Sequence, residues 1–68
     1  MPPKIRQLKA DLSKAGFLKR PAKGSHTYWI HPNLPGIAVT LSGKDGDDAD
    51  KYQVKQVKEV LRKLGRPL

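Results

Sequence analysis

The chain of 68 residues contains no cysteine, few acidic residues and no long apolar stretch. Without cysteine it can form neither a disulfide framework nor a thiolate metal cluster, so we expect a hydrophobic core to stabilise it. Its apolar runs are far shorter than the roughly 18 residues of a membrane span, and no apolar signal segment follows Met1–Lys4. We therefore expect a cytoplasmic protein with no membrane contact, folded as a single domain over residues 1–68.

Charge of one sign is also scarce, because 6 acidic residues accompany 14 lysines and arginines, for a net charge of +8. Four of the six acids lie within residues 45–50, so both flanking segments, 1–44 and 51–68, are strongly basic. A basic surface favours polyanions, since each cation that meets a phosphate releases condensed counterions. A high positive charge can simply keep a protein soluble, which is the simpler explanation. In so small a domain, however, this charge favours nucleic acid as the binding partner.

Hydrophobic periodicity predicts a helix at each end of the chain. The first helix follows Pro2-Pro3 and ends at Gly16, and its apolar stripe comprises Ile5, Leu8, Leu12 and Ala15. The last helix begins near Asp50 and is capped by one of the aspartates Asp47, Asp48 or Asp50. It ends at Gly65 and Pro67, and its apolar stripe comprises Val54, Val57, Val60, Leu61 and Leu64.

Three short strands are predicted between the helices, over Phe17–Arg20, His26–His31 and Ile37–Leu41. Their connections are too short for parallel crossovers, so the strands pair as an antiparallel sheet. Two amphipathic helices can bury their stripes together only on one face of this sheet. The sequence therefore predicts an α+β fold of order α-β-β-β-α with both helices on one face and the other face open.

The alternation of the second strand does not decide which of its side chains face the helices. Tyr28 and Ile30 form the more apolar set, so we expect them to face inward and Trp29 to lie on the open face, where it offers a stacking surface for a base. In the alternative, Trp29 belongs to the core and Tyr28 lies on the open face. We expect His31, which precedes Pro32, to end the strand.

The segment before the second strand is the densest cluster of chemically useful residues. It supplies three cations, a glycine that lets a ligand approach the backbone, a hydroxyl and a histidine: Lys19, Arg20, Lys23, Gly24, Ser25 and His26. Imidazole exchanges protons near neutral pH, and in RNA the 2′-hydroxyl beside each phosphate is a nucleophile that one imidazole can deprotonate. Such strand cleavage needs no metal ion and no other cofactor. From composition alone, however, the signal is weak, and an ordinary turn with a partly exposed histidine is the simpler explanation of the segment.

Three short motifs resemble the HicA family, the toxins of HicA–HicB toxin–antitoxin pairs. They are Gly24-Ser25-His26 at the head of the second strand, Lys14-Ala15-Gly16-Phe17 after the first helix, and Trp29-Ile30-His31-Pro32. The resemblance extends from about Ile5 to Gly65 and includes the basic helix Tyr52–Leu64.

The resemblance implies a double-stranded-RNA-binding-like fold and ribonuclease activity on messenger RNA. His26 would be the catalytic residue, Gly24 and Ser25 would shape its turn, and Arg20 and Lys23 would contact phosphate. A cognate HicB-type antitoxin would mask the histidine. In the last helix Lys55 and Lys58 are further candidates for phosphate contacts, as in proteins that recognise the backbone of double-stranded RNA.

Two features depart from this pattern. Many HicA proteins carry Pro-x-His after the third strand, and Val39–Lys44 has no histidine. The acidic residues 45–50 are unusual beside a polyanion, so we expect them to point away from the RNA or toward a partner. They lack the glutamate continuation of a calcium loop, and we expect no metal site. A non-catalytic or degenerate RNA-binding module of the same fold is the alternative to a ribonuclease.

Overall fold

The first helix, α1, spans Ile5–Lys14 and buries the predicted stripe. A computed structural model of the chain describes residues 2–65. The first backbone N–H groups of α1 bind carbonyls of the acidic loop, residues 42–50, with Ile5 N–H donating to the Asp47 carbonyl at 2.9 Å and Arg6 N–H to the Asp45 carbonyl at 3.2 Å. Gly16 follows the helix with φ +96°, the left-handed conformation that favours glycine. The predicted first helix and its glycine stop are therefore confirmed.

Three strands follow, β1 (Leu18–Pro21), β2 (Thr27–Ile30) and β3 (Ala38–Leu41), paired antiparallel in the order β1-β2-β3. Each observed strand differs from its predicted span by a residue or two at its ends. Phe17, predicted to start the first strand, instead precedes it and is buried in the core. β1 is an edge strand, and all four of its side chains are exposed. Pro21 is tolerated there because a proline on an edge strand removes no hydrogen bond from the interior of the sheet.

The second helix, α2, spans Lys51–Lys63, and Asp50 caps it by accepting a hydrogen bond from Gln53 N–H at 2.8 Å. Buried Gln53 also accepts from Ser42 N–H through Oε1, at 2.8 Å, which fastens the end of β3 to the first turn of the helix. The predicted capping by an aspartate of the acidic segment is confirmed for Asp50. Gly65 follows the helix with φ +74°, whereas Pro67 lies outside the described residues.

Both helices pack on one face of the sheet, as predicted. On that face Trp29, Val39 and Leu41 are buried in a single cluster with the apolar stripes of the two helices. The buried residues of these stripes are Ile5, Leu8, Leu12, Val57, Val60 and Leu61. The opposite face is open and carries two cross-strand rows, Leu18-Ile30-Ala38 and Arg20-Tyr28-Thr40. The fold is therefore the α+β, double-stranded-RNA-binding-like arrangement expected from the sequence.

The expected exposure of Trp29 is wrong. Its side chain is 3% exposed, and its indole N–H donates to the Thr27 hydroxyl at 2.9 Å, while Tyr28 is 42% exposed on the open face. The register explains the difference, because Trp29 pairs with Val39, and Val39 alternates inward with Leu41 on β3. The helices thus cover the tryptophan, and the open face presents tyrosine instead.

Candidate active site

The turn between β1 and β2 holds most of the predicted site residues. His26 N–H donates to the Lys23 carbonyl at 3.1 Å, which closes a four-residue turn. Gly24, its second residue, has φ +62°, whereas Ser25 has a negative φ. This combination is the pattern of a type II′ turn, the hairpin turn that requires glycine at its second position. The Gly-Ser-His sequence therefore fixes the backbone at the position where His26 enters β2.

His26 itself lies at the tip of this hairpin and is exposed. Within residues 2–65 no group forms a hydrogen bond with its imidazole. In the alternation of β2, position 26 is in step with Tyr28 and Ile30, the residues of the open face. A ligand from solvent can therefore reach this exposed residue.

Exposed polar residues of the same hairpin accompany His26. Lys23 and Ser25 belong to the turn, and Arg20 lies on β1 directly across from Tyr28. The structure thus places Arg20, Lys23, Gly24, Ser25 and His26 on one hairpin.

Lys55 and Lys58 are not part of this cluster. Both are exposed on α2, in the helix layer, where they line a groove of about 900 Å³ beside the N-terminal Pro2-Pro3 segment. Glu59 lies in the same groove together with Arg62. If these lysines contact RNA, they do so on a separate surface from the hairpin that carries His26.

The second histidine is at the opposite end of the sheet from His26. The Nδ1 atom of His31 accepts a hydrogen bond from Asn33 N–H at 3.0 Å, and its Nε2 atom lies 3.0 Å from the Ala15 carbonyl, to which it donates. The ring also meets Phe17 edge to face, with centroids 5.0 Å apart. With both nitrogens engaged, His31 is a structural residue that follows the last residue of β2.

Two of the three short motifs form one packed unit, which their sequences did not predict. Ala15, Gly16 and Phe17 all contact His31, so the segment after the first helix and the end of β2 are joined through this ring. The imidazole therefore links the end of α1 to the end of β2 through a hydrogen bond and an aromatic contact. The motif spacing alone, 16 residues, gave no sign of this contact.

Replacement of Gly16 by alanine is expected to lower the free energy of unfolding by about 1–2 kcal/mol, because the left-handed backbone is unfavourable for any residue with a Cβ. A Cβ at this position would also lie 3.1 Å from the Nε2 atom of His31. Urea denaturation of Gly16→Ala, with Gly46→Ala as the control variant, measures the change in the free energy of unfolding. Gly46 lies in open space without a positive φ, so its replacement should change stability by about 0.5 kcal/mol or less. Equal losses in the two variants would contradict this account.

The acidic loop, residues 42–50, lies at the same end of the sheet as the β1–β2 turn, since β1 and β3 run in one direction. Two ion pairs join its aspartates to α1 and to the residue before it, Lys9 Nζ to Asp45 Oδ1 at 2.6 Å and Lys4 Nζ to Asp48 Oδ1 at 2.5 Å. The hydrogen bond and charge of Lys9, with weaker contributions from Lys19 and Arg6, hold the pKa of Asp45 below its ordinary value. This carboxylate is therefore ionised throughout the physiological range, and its ion pair with Lys9 is lost as the pH falls through the lowered pKa.

Metal ligands do not converge in the part of the chain that the structure describes, where no three histidine or acidic side chains are placed to hold an ion. Nor is either helix of residues 2–65 long and apolar enough to cross a membrane.

The three-stranded sheet, the two helices on one face and the basic hairpin define a small α+β domain of the double-stranded-RNA-binding-like class. A family model described as the HicA toxin of bacterial toxin–antitoxin matches residues 5–65, nearly the whole chain. The chain belongs to this family, which gives it the role of a toxin and implies a cognate antitoxin as its partner. No curated protein and no solved structure matches the chain significantly.

Proposed function

We propose that this toxin is an endoribonuclease that cleaves messenger RNA in the cytoplasm, with His26 as the residue that transfers the proton. The observation that carries the proposal is the position of this histidine. It is exposed at a turn that the Lys23–His26 hydrogen bond closes, and Arg20 and Lys23 are exposed cations of the same hairpin. Membership of a toxin family supports the proposal, because cleavage of messenger RNA stops protein synthesis and is a direct way to arrest a cell.

The reaction follows from the chemistry of this hairpin. His26 takes the proton of a ribose 2′-hydroxyl, and the 2′-oxygen attacks the adjacent phosphorus as the bond from phosphorus to the 5′-oxygen breaks. The 5′-oxygen leaves with a proton from water, because the turn is exposed and His31 lies at the other end of the sheet. The products are a 2′,3′-cyclic phosphate and a 5′-hydroxyl. Arg20 and Lys23 offset the negative charge that builds on the phosphate.

The proposal predicts that the purified protein cleaves an RNA oligonucleotide in the presence of a chelator and leaves the DNA of the same sequence intact. DNA lacks the 2′-hydroxyl that serves as the nucleophile, and the mechanism uses no metal ion. Gel electrophoresis of the two labelled strands, each incubated with and without the chelator, measures this. Equal cleavage of DNA, or loss of RNA cleavage on addition of the chelator, would contradict the mechanism.

The second candidate function is RNA binding without cleavage, and one observation favours it. A general base is normally oriented by a neighbouring group, and no residue in the described part of the chain hydrogen-bonds the His26 ring. This alternative predicts RNA binding that weakens steeply with salt and no strand scission at any protein concentration. The same RNA assay, extended to a large excess of protein, separates the two functions.

A further inference from the structure

A second cationic site lies on the helix side of β1, away from the residues assigned above. It is a groove of about 350 Å³ between α1 and the sheet edge, and its lining includes Arg6, Lys9, Lys19, Ser13 and Trp29. Arg6 and Lys9 come from α1, and Lys19 lies on β1 directly across from Trp29. Three cations thus line one groove, to which the largely buried Trp29 also contributes.

Asp45 is the acidic residue of this groove. Its carboxylate lies 2.6 Å from the Lys9 ammonium and is close enough to Lys19 and Arg6 to feel their charges. The Asp45 side chain is 66% exposed and that of Lys9 is 23% exposed. Ion pairs that are open to solvent in this way contribute little free energy. A backbone phosphodiester, like the carboxylate, carries one negative charge and two oxygens that accept charge-assisted hydrogen bonds, so it can take the place of the carboxylate beside Lys9.

The fold of the loop does not depend on this carboxylate. The main chain of residues 45–49 is held by its own hydrogen bonds, from Arg6 and Ile5 N–H to the loop carbonyls and from Ala49 N–H to the Pro3 carbonyl at 2.8 Å. The Lys4–Asp48 pair fastens the loop at a second point. The Asp45 side chain can therefore leave Lys9 while the loop stays in place.

We propose that this groove binds a backbone phosphate of the RNA, and that Asp45 occupies the site of that phosphate in the free protein. The inference rests on the proposed RNA substrate. Lys19 and Arg20 are neighbours on the exposed edge strand and point to opposite faces, so a strand that follows this edge meets the groove on one side and the His26 hairpin on the other. Asp45 is then an internal competitor that weakens RNA binding.

The test compares Asp45→Asn with Asp48→Asn, both made in the full chain with His26→Ala so that the RNA stays intact. The two changes alter net charge equally and each removes one ion pair with a lysine, but only Asp45 lines the groove. Fluorescence anisotropy with a labelled RNA oligonucleotide at several salt concentrations gives the dissociation constants. We expect Asp45→Asn to bind about two- to fivefold more tightly than Asp48→Asn.

Further variants localise the effect. Lys9→Gln should weaken binding and should abolish the gain from Asp45→Asn when the two changes are combined, because the freed cation is then missing. Circular dichroism of each variant verifies the native fold. Equal affinities of Asp45→Asn and Asp48→Asn, in a parent that binds RNA, would overturn this inference and leave the proposed function standing. A parent that binds no RNA would overturn both.

Discussion

Replacement of Trp29 by alanine is expected to lower the free energy of unfolding by about 3–5 kcal/mol, the usual cost of deleting a buried aromatic side chain. The indole is 3% exposed and packs in the cluster that joins the sheet to both helices. The replacement also leaves the Thr27 hydroxyl without the indole N–H that it accepts. A domain of this size has a total stability of roughly 3–10 kcal/mol, so the variant is expected to be largely unfolded at 37 °C.

Tyr28→Ala is the matched control, because Tyr28 is the next residue of β2 and lies on the opposite face with 42% of its surface exposed. Its replacement should cost about 1 kcal/mol or less. Urea denaturation of the two variants, followed by circular dichroism, gives both values. A larger loss for Tyr28→Ala would show that the sheet turns its other face to the helices, as a register shift of one residue on β2 would produce.

Replacement of His26 by alanine is expected to lower the rate of RNA cleavage at least about 100-fold, because a positioned acid or base contributes about 10²- to 10⁴-fold. The fold should be unaffected, since the ring is exposed and has no hydrogen bond within residues 2–65. Thermal denaturation should therefore give nearly the same midpoint for the variant and the native protein. Cleavage rates under single-turnover conditions, measured with protein in excess over labelled RNA, provide the comparison.

His26→Gln distinguishes proton transfer from hydrogen bonding. The glutamine amide can donate and accept hydrogen bonds but cannot take a proton at neutral pH. We expect this variant to be as inactive as His26→Ala. Activity close to the native level in His26→Gln would show that the residue positions the RNA and that another group transfers the proton.

Local sequence patterns predicted the helices and the candidate turn well. The spacing of Ile5, Leu8 and Leu12 is a property of one segment, and so is the Gly24 turn that delivers His26 to β2. Each of these features needs only a few consecutive residues to form. These local features also predicted the order of the elements and the packing of both helices on one face of the sheet. Short connections between the elements leave few other arrangements.

Features that depend on distant residues were missed. Trp29 faces inward because β2 pairs in a particular register with β3, and an alternating strand of four residues does not carry that information. The Lys9–Asp45 pair joins positions 36 residues apart, and His31 meets Ala15 across 16 residues. A pattern confined to one segment cannot predict such contacts. The contacts between the acidic loop and α1 are accordingly among the features that the sequence did not predict.

The central claim is that His26 activates the 2′-hydroxyl of the RNA, and mass spectrometry of the cleavage products tests it most directly. The native protein and His26→Ala are each incubated with one RNA oligonucleotide in the presence of a chelator. The account predicts fragments ending in a 2′,3′-cyclic phosphate and a 5′-hydroxyl from the native protein, and intact RNA from the variant. Fragments with a 3′-hydroxyl and a 5′-phosphate, or equal yields from the two proteins, would contradict it.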